Sequence, residues 1–118
     1  MGYKLAIAAV LVASVQFTLN DQGTTKEFKF DLHFDRLPAT EWDQRIRNAD
    51  GKVDQVNINQ TLREITRGWD GQQLIIDDET GQPAPFSPEA RDVLYSVPGL
   101  YDIALQAYVN GVAARLKT

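Results

Sequence analysis

The chain has 118 residues, 43% apolar and 24% charged, the size and composition of one ordinary folded domain rather than a disordered segment. Its formal net charge of -4 argues against nucleic acid as a partner, because binding to a phosphate backbone draws on clustered Lys and Arg. The absence of cysteine excludes disulfides, thiolate catalysis and every zinc site that uses Cys.

At the N-terminus, Lys4 followed by the apolar and small residues 5–14 imitates the charged region, short apolar core and small-residue cleavage site of a secretory signal. The run is too short to span a bilayer, so no membrane partner is expected. Its apolar alternation continues through Val15, Phe17 and Leu19, which is strand behaviour and favours a place in the fold. From Val15 to Leu37 the period stays at two, with Phe28, Phe30, Leu32 and Phe34 on the second stretch. Asn20, Asp21, Gln22 and Gly23 between the stretches tolerate positive φ, so a half-buried hairpin is predicted. Burial of its phenylalanines is worth about 1.5 to 3 kcal/mol each, so other elements must cover that face.

After Pro38 the spacing turns helical: Ala39, Trp42, Ile46 and Ala49 share one face, and Asp50-Gly51 ends the segment. A second helix is predicted from about Val53, with Ile58, Leu62, Ile65 and Trp69 on one stripe and Gly68 as its stop. Residues 70–86 read as a linker holding a strand-like run, Leu74-Ile75-Ile76, and a turn-rich acidic loop, 77–81. Ser87 then offers an N-cap, with Pro88 and Glu89 suited to the first helical turn. Pro98-Gly99 closes that helix, and a last one is predicted from about Leu100 to Leu116, with Ala104, Tyr108, Val112 and Arg115 on a common face. The expected fold is a single α+β domain: an extended hairpin region at 1–37, a helical region at 38–68, a linker at 69–86 and a C-terminal helix pair at 87–118.

Candidate chemistry is sparse. His33, the only histidine, alternates with Phe30, Leu32 and Phe34 on the polar side of a strand, where a solvated ring needs no catalytic role. The acidic loop fails the calcium-loop spacing, because counting from Asp77 places Gln82 where Gly is required and Pro88 where Glu is required. Asp50-Gly51 fails in the same way, and the Asn59-Gln60-Thr61 sequon falls inside a predicted helix. No phosphate-cradling or nucleophile-elbow motif is present, so no enzyme, no cofactor and no metal is expected.

The last part of the chain carries a fixed order of punctuation: Gly68-Trp69-Asp70-Gly71, then Gly81-Gln82-Pro83-Ala84-Pro85-Phe86-Ser87-Pro88-Glu89, then Val93-Leu94, Val97-Pro98-Gly99, Ala107-Tyr108, and Arg115-Leu116-Lys117. Together with a hairpin start, this order resembles the tail assembly chaperones of long-tailed bacteriophages. The resemblance implies a non-enzymatic protein of the bacterial host cytoplasm that binds the tape measure protein, helps recruit the tail tube protein, self-associates as a homo-oligomer and is absent from the mature virion. A virion structural component, such as a tail completion or connector protein, is the alternative, and a secreted or periplasmic binding domain is a third.

The candidate partner-binding residues are Trp69, Phe86, Ala107, Tyr108 and Gly111. The two aromatics flank the linker, and the small residues along the last helix leave room for another helix to approach. Charges placed at Ala107 or Gly111 are expected to weaken partner binding and leave the domain folded. Calorimetric titration with calcium and with zinc is expected to give no tight stoichiometric binding; micromolar one-to-one affinity that vanishes on changing Asp77 and Glu79 would contradict the reading of the acidic loop as a turn.

Overall fold

In the computed structural model, which describes residues 2–116, two 12-residue strands, β1 (Val10–Asp21) and β2 (Thr24–Asp35), pair antiparallel with Val10 opposite Asp35 and Asp21 opposite Thr24. Gln22 and Gly23 make the turn with φ of 54° and 82°, and positive φ at both central residues gives a hairpin whose twist matches its strands. Asn20 Oδ1 fixes that turn by accepting the Gly23 N–H at 2.9 Å. β1 starts at Val10, so the signal-like run is in part a strand: Leu11 and Ala13 are buried with Val15 and Phe17.

The pleat sorts the hairpin into two faces. Leu11, Ala13, Val15 and Phe17 of β1 share the buried face with Phe30, Leu32 and Phe34 of β2, and Phe17 meets Phe30 edge-on at a centroid distance of 5.9 Å. On the open face Ser14 donates to Asp31 at 2.6 Å, and Gln16 bonds Glu27 across the strands.

Among the described residues four helices complete the fold: α1 (Ala39–Arg45), α2 (Gln55–Ile65), α3 (Pro88–Tyr95) and α4 (Leu100–Val112). Their apolar residues join the strands in one core, with Ile58, Leu62 and Ile65 from α2, Ala90, Leu94 and Tyr95 from α3, and Leu100, Ala104 and Tyr108 from α4. Ser87 caps α3 as the sequence places it, accepting from Ala90 N–H at 3.0 Å, and Asp54 caps α2 by accepting from Val56 N–H at 2.8 Å. Between α1 and α2, Asn48 Oδ1 accepts the backbone N–H groups of Asp50 and Lys52, so Asp50-Gly51 belongs to a tight turn.

Three helix ends differ from the periodic reading, and the first is α1, which stops at Arg45 and leaves Ala49 in the turn that follows. α2 stops at Ile65, and Thr66–Asp70 forms a third strand, β3, paired antiparallel with the free edge of β2 in the order β1-β2-β3. Trp69 therefore reaches the core from a strand opposite Leu32, not from the fourth position of a helical stripe. Thr66 sits at the switch: its hydroxyl donates to the Leu62 carbonyl at 2.6 Å while its backbone is extended at φ -75° and ψ 116°. α4 ends at Val112, short of Leu116, and Arg115 instead donates to the Asn110 side chain at 2.9 Å.

Two tyrosines bind the helices to the sheet. Tyr95 Oη lies 2.7 Å from the Thr66 hydroxyl, which already donates to Leu62, so the tyrosine is the donor. Burial pushes the Tyr95 phenol well above its ordinary value, and burial also raises Tyr108, whose hydroxyl accepts the Leu37 N–H at 3.1 Å. The fold thus holds these protons more tightly than the unfolded chain, so stability is full below about pH 10 and falls as pH rises beyond it. Denaturant midpoints measured across pH 8 to 11 are expected to drop above about pH 10, with a shallower drop for Tyr95→Phe; identical profiles for the two proteins would contradict the buried phenol.

Candidate partner-binding surface

The segment after β3 is organised by one polar side chain. Gly71 turns the chain at φ 74°, and Gln72 then points inward with only 3% of its surface exposed. Its Oε1 accepts the N–H groups of Leu74 and Ile75 at 3.0 and 2.8 Å, and its Nε2 donates to the carbonyls of Ile75 and Ala84 at 2.9 and 3.0 Å. One amide therefore gives the Leu74 and Ile75 N–H groups their acceptor and shares the Ile75 carbonyl with the Ala84 N–H. Trp69 Nε1 donates to the same Ala84 carbonyl at 3.2 Å, so the indole and the loop are fixed to each other.

The run Leu74-Ile75-Ile76 is not a strand; it contributes buried Ile75 and an isolated bridge between Ile76 and Pro83. The acidic loop inside that bridge folds on its own backbone, with Asp77 Oδ1 accepting the Glu79 N–H at 2.8 Å and Gly81 at φ 70°. Among the described residues no three His, Asp or Glu side chains converge where they could hold a metal ion. His33 lies on the open face of β2, half-buried, with Nε2 2.9 Å from Asp70 Oδ2 on β3.

Above the Gln72 hub, Phe86 packs edge-on against Trp69 at 5.1 Å and 81°. The pair lines an open cleft of about 400 Å³ whose walls also include Gln73, Pro83, Ala84 and Pro85. A larger cleft, about 630 Å³, lies between the hairpin tip and this loop, with Leu19, Lys26, Phe28, Leu74 and Ile76 on its walls. Nothing in the sequence marks that second cleft, because it joins residues some fifty positions apart through tertiary packing alone.

The five candidate residues do not form one patch. Trp69 and Phe86 belong together at the β3 side, with Trp69 9% exposed and Phe86 half-buried. Tyr108 is 1% exposed, its ring against Phe34 and Trp42, so it serves the core and offers no side chain to a partner. Gly111 is a packing residue as well: a Cβ there would come within 2.7 Å of Leu11 Cδ2, so its lack of a side chain lets α4 close onto β1. A side chain at Gly111 therefore needs the end of the Leu11 side chain to move, so a charge there is not independent of the core as the sequence suggests. Ala107 is half-buried and keeps some surface.

Comparison with family models, with curated proteins and with solved structures finds no match.

Trp69→Ala is expected to cost about 3 to 5 kcal/mol, since it empties a core position and abandons Phe86. Gln72→Leu is expected to cost about 1 to 3 kcal/mol, because it leaves the Leu74 and Ile75 N–H groups without their acceptor. Denaturant melts check both; a Trp69→Ala loss below roughly 1 kcal/mol would move the indole from the core to the surface.

Proposed function

We propose that the chain is an assembly chaperone of the long-tailed phage type. It binds the tape measure protein in the cytoplasm of the bacterial host, keeps its long apolar helices soluble and assists the tail tube protein. It leaves before the virion is complete.

The observation that carries this reading is the cleft beside Trp69 and Phe86. The residues whose order carries the resemblance, from Gly68 to Ser87, fold into one connected piece around Gln72 and leave Phe86, Pro83 and Pro85 facing an open groove. An apolar groove with a few fixed polar groups suits side chains projecting from one face of an amphipathic helix. The half-exposed Phe86 is the anchor, because burying an aromatic on binding contributes more than any other contact available there. The formal charge of -4 turns the chain away from nucleic acid. Among the described residues no helix is long and apolar enough to cross a membrane.

Co-expression with a tape measure protein tests the proposal. The wild-type chain is expected to raise the soluble fraction of that protein and to co-elute with it in size-exclusion chromatography. Pro85→Glu alters an exposed wall of the cleft, so it is expected to weaken the complex while the circular dichroism spectrum stays unchanged. Equal solubility with and without the chain, and no co-elution, would remove the chaperone reading.

A further inference from the structure

The apolar face of the hairpin runs on past the buried core toward the turn. Phe17 and Phe30 on that face are buried, whereas Leu19 and Phe28 are half-buried, and Phe28 is held by stacking on Phe17 at 5.8 Å and 26°. Leu74, half-buried, and Ile76, 47% exposed, belong to the loop, and the cleft of about 630 Å³ lies between them and the hairpin. That volume is within the range of sites that take a ligand or a few side chains of a partner.

The two walls differ in charge. On the strand side Lys26 pairs with Asp21 at 2.9 Å, and Lys29 and Glu27 are of opposite sign, so this wall has no formal net charge. On the loop side Asp77, Asp78 and Glu79 follow Ile76 directly, and residues 70–90 hold no Lys or Arg. Among the described residues none of these three carboxylates is in an ion pair. Asp78 and Glu79 are exposed, and Asp77 uses one oxygen on the Glu79 N–H. The loop is closed by two backbone bonds, Asp77 N–H to Gln82 O at 2.9 Å and Gly81 N–H to Asp77 O at 2.8 Å, which keep the acidic side chains at the Ile76 end of the cleft.

We propose that this cleft is a docking site for a cationic, apolar peptide segment of another protein. Large apolar side chains of the segment enter against Leu19, Phe28, Leu74 and Ile76, and Lys or Arg beside them meets Asp77, Asp78 and Glu79. Charge selects this occupant. A nucleic acid or an anionic lipid surface is repelled by the acidic wall, and a second copy of the chain brings its own formal charge of -4. An uncharged segment fills the apolar floor and leaves the three carboxylates without a counter-charge. Burial against the floor supplies the affinity, while the acidic wall speeds encounter and fixes which way the segment lies. The site is separate from the Trp69 and Phe86 pair and does not rest on the chaperone proposal, so either can fail alone.

Fluorescence anisotropy on the full chain tests it with three labelled peptides of equal length. One sets Leu and Phe among Lys, one has Glu in place of each Lys, and one has Ser in place of Leu and Phe. The Lys peptide is expected to bind with a Kd of about 100 μM or tighter, and the other two at least about tenfold more weakly. Ile76→Ser removes an exposed part of the apolar floor, and the double change Asp78→Lys with Glu79→Lys reverses the wall. All three positions are exposed, so the circular dichroism spectrum is expected to stay unchanged. Each variant is expected to weaken the Lys peptide by at least about fivefold, and the charge reversal to favour the Glu peptide. Equal binding of the Lys and Glu peptides overturns the proposal. Loss on the charge reversal with none on Ile76→Ser makes the loop a nonspecific cation binder and overturns it too. So does a Lys peptide that fails to bind, or one displaced as the chain is concentrated because a second copy takes the cleft.

Discussion

The apolar face of the hairpin has to be covered, and most of the architecture follows from that need. Three phenylalanines, Phe17, Phe30 and Phe34, together with Leu11, Val15 and Leu32, stand on one side of only two strands. A two-stranded hairpin is marginal by itself in water, so these residues hold their place only against a second layer. α4 supplies it along β1, and the approach is as close as it is because residue 111 carries no side chain. Tyr108 fills the space over Phe34 and ties the chain after β2 by accepting the Leu37 amide. β3 then widens the sheet on the other side, which lets α2 and α3 share the same core.

Much of this was legible in the sequence because it is local. The period-two alternation of 15–19 and 28–34, the Ser87-Pro88 helix start and the Pro98-Gly99 break each depend on neighbours a few residues away. The switch from α2 to β3 was not legible. Trp69 follows Ile65 by four residues, which fits a helical stripe, and yet an extended chain can bring the same indole to the same core. What decides between them is the unpaired edge of β2, a partner that only the folded sheet supplies. The Thr66 side chain shows the compromise, capping the helix it leaves while its backbone enters the strand.

The candidate surface divides along the same line. Pairing Trp69 with Phe86 was readable from their flanking of the linker, and the structure brings the two rings together. Gln72 was invisible, since a lone glutamine after glycine looks like any solvated loop residue, although it bonds four backbone groups. Small residues along α4 looked like room for a partner. Gly111 instead makes room for β1 within the same chain, while Ala107 keeps part of its surface. The loop cleft and the outer edge of β1 are open at the surface, and the covered hairpin lies beneath both.

Native-state hydrogen exchange measures that dependence directly. The central strand β2 and the sheet-facing turns of α4 are expected to exchange together, at the slowest rate in the molecule, because neither opens without exposing the phenylalanine face. The loop beyond Gln72 is expected to open more readily. An α4 that exchanges freely while β2 stays protected would show that the helix does not hold the hairpin, and the account of how this sequence makes its fold would be wrong.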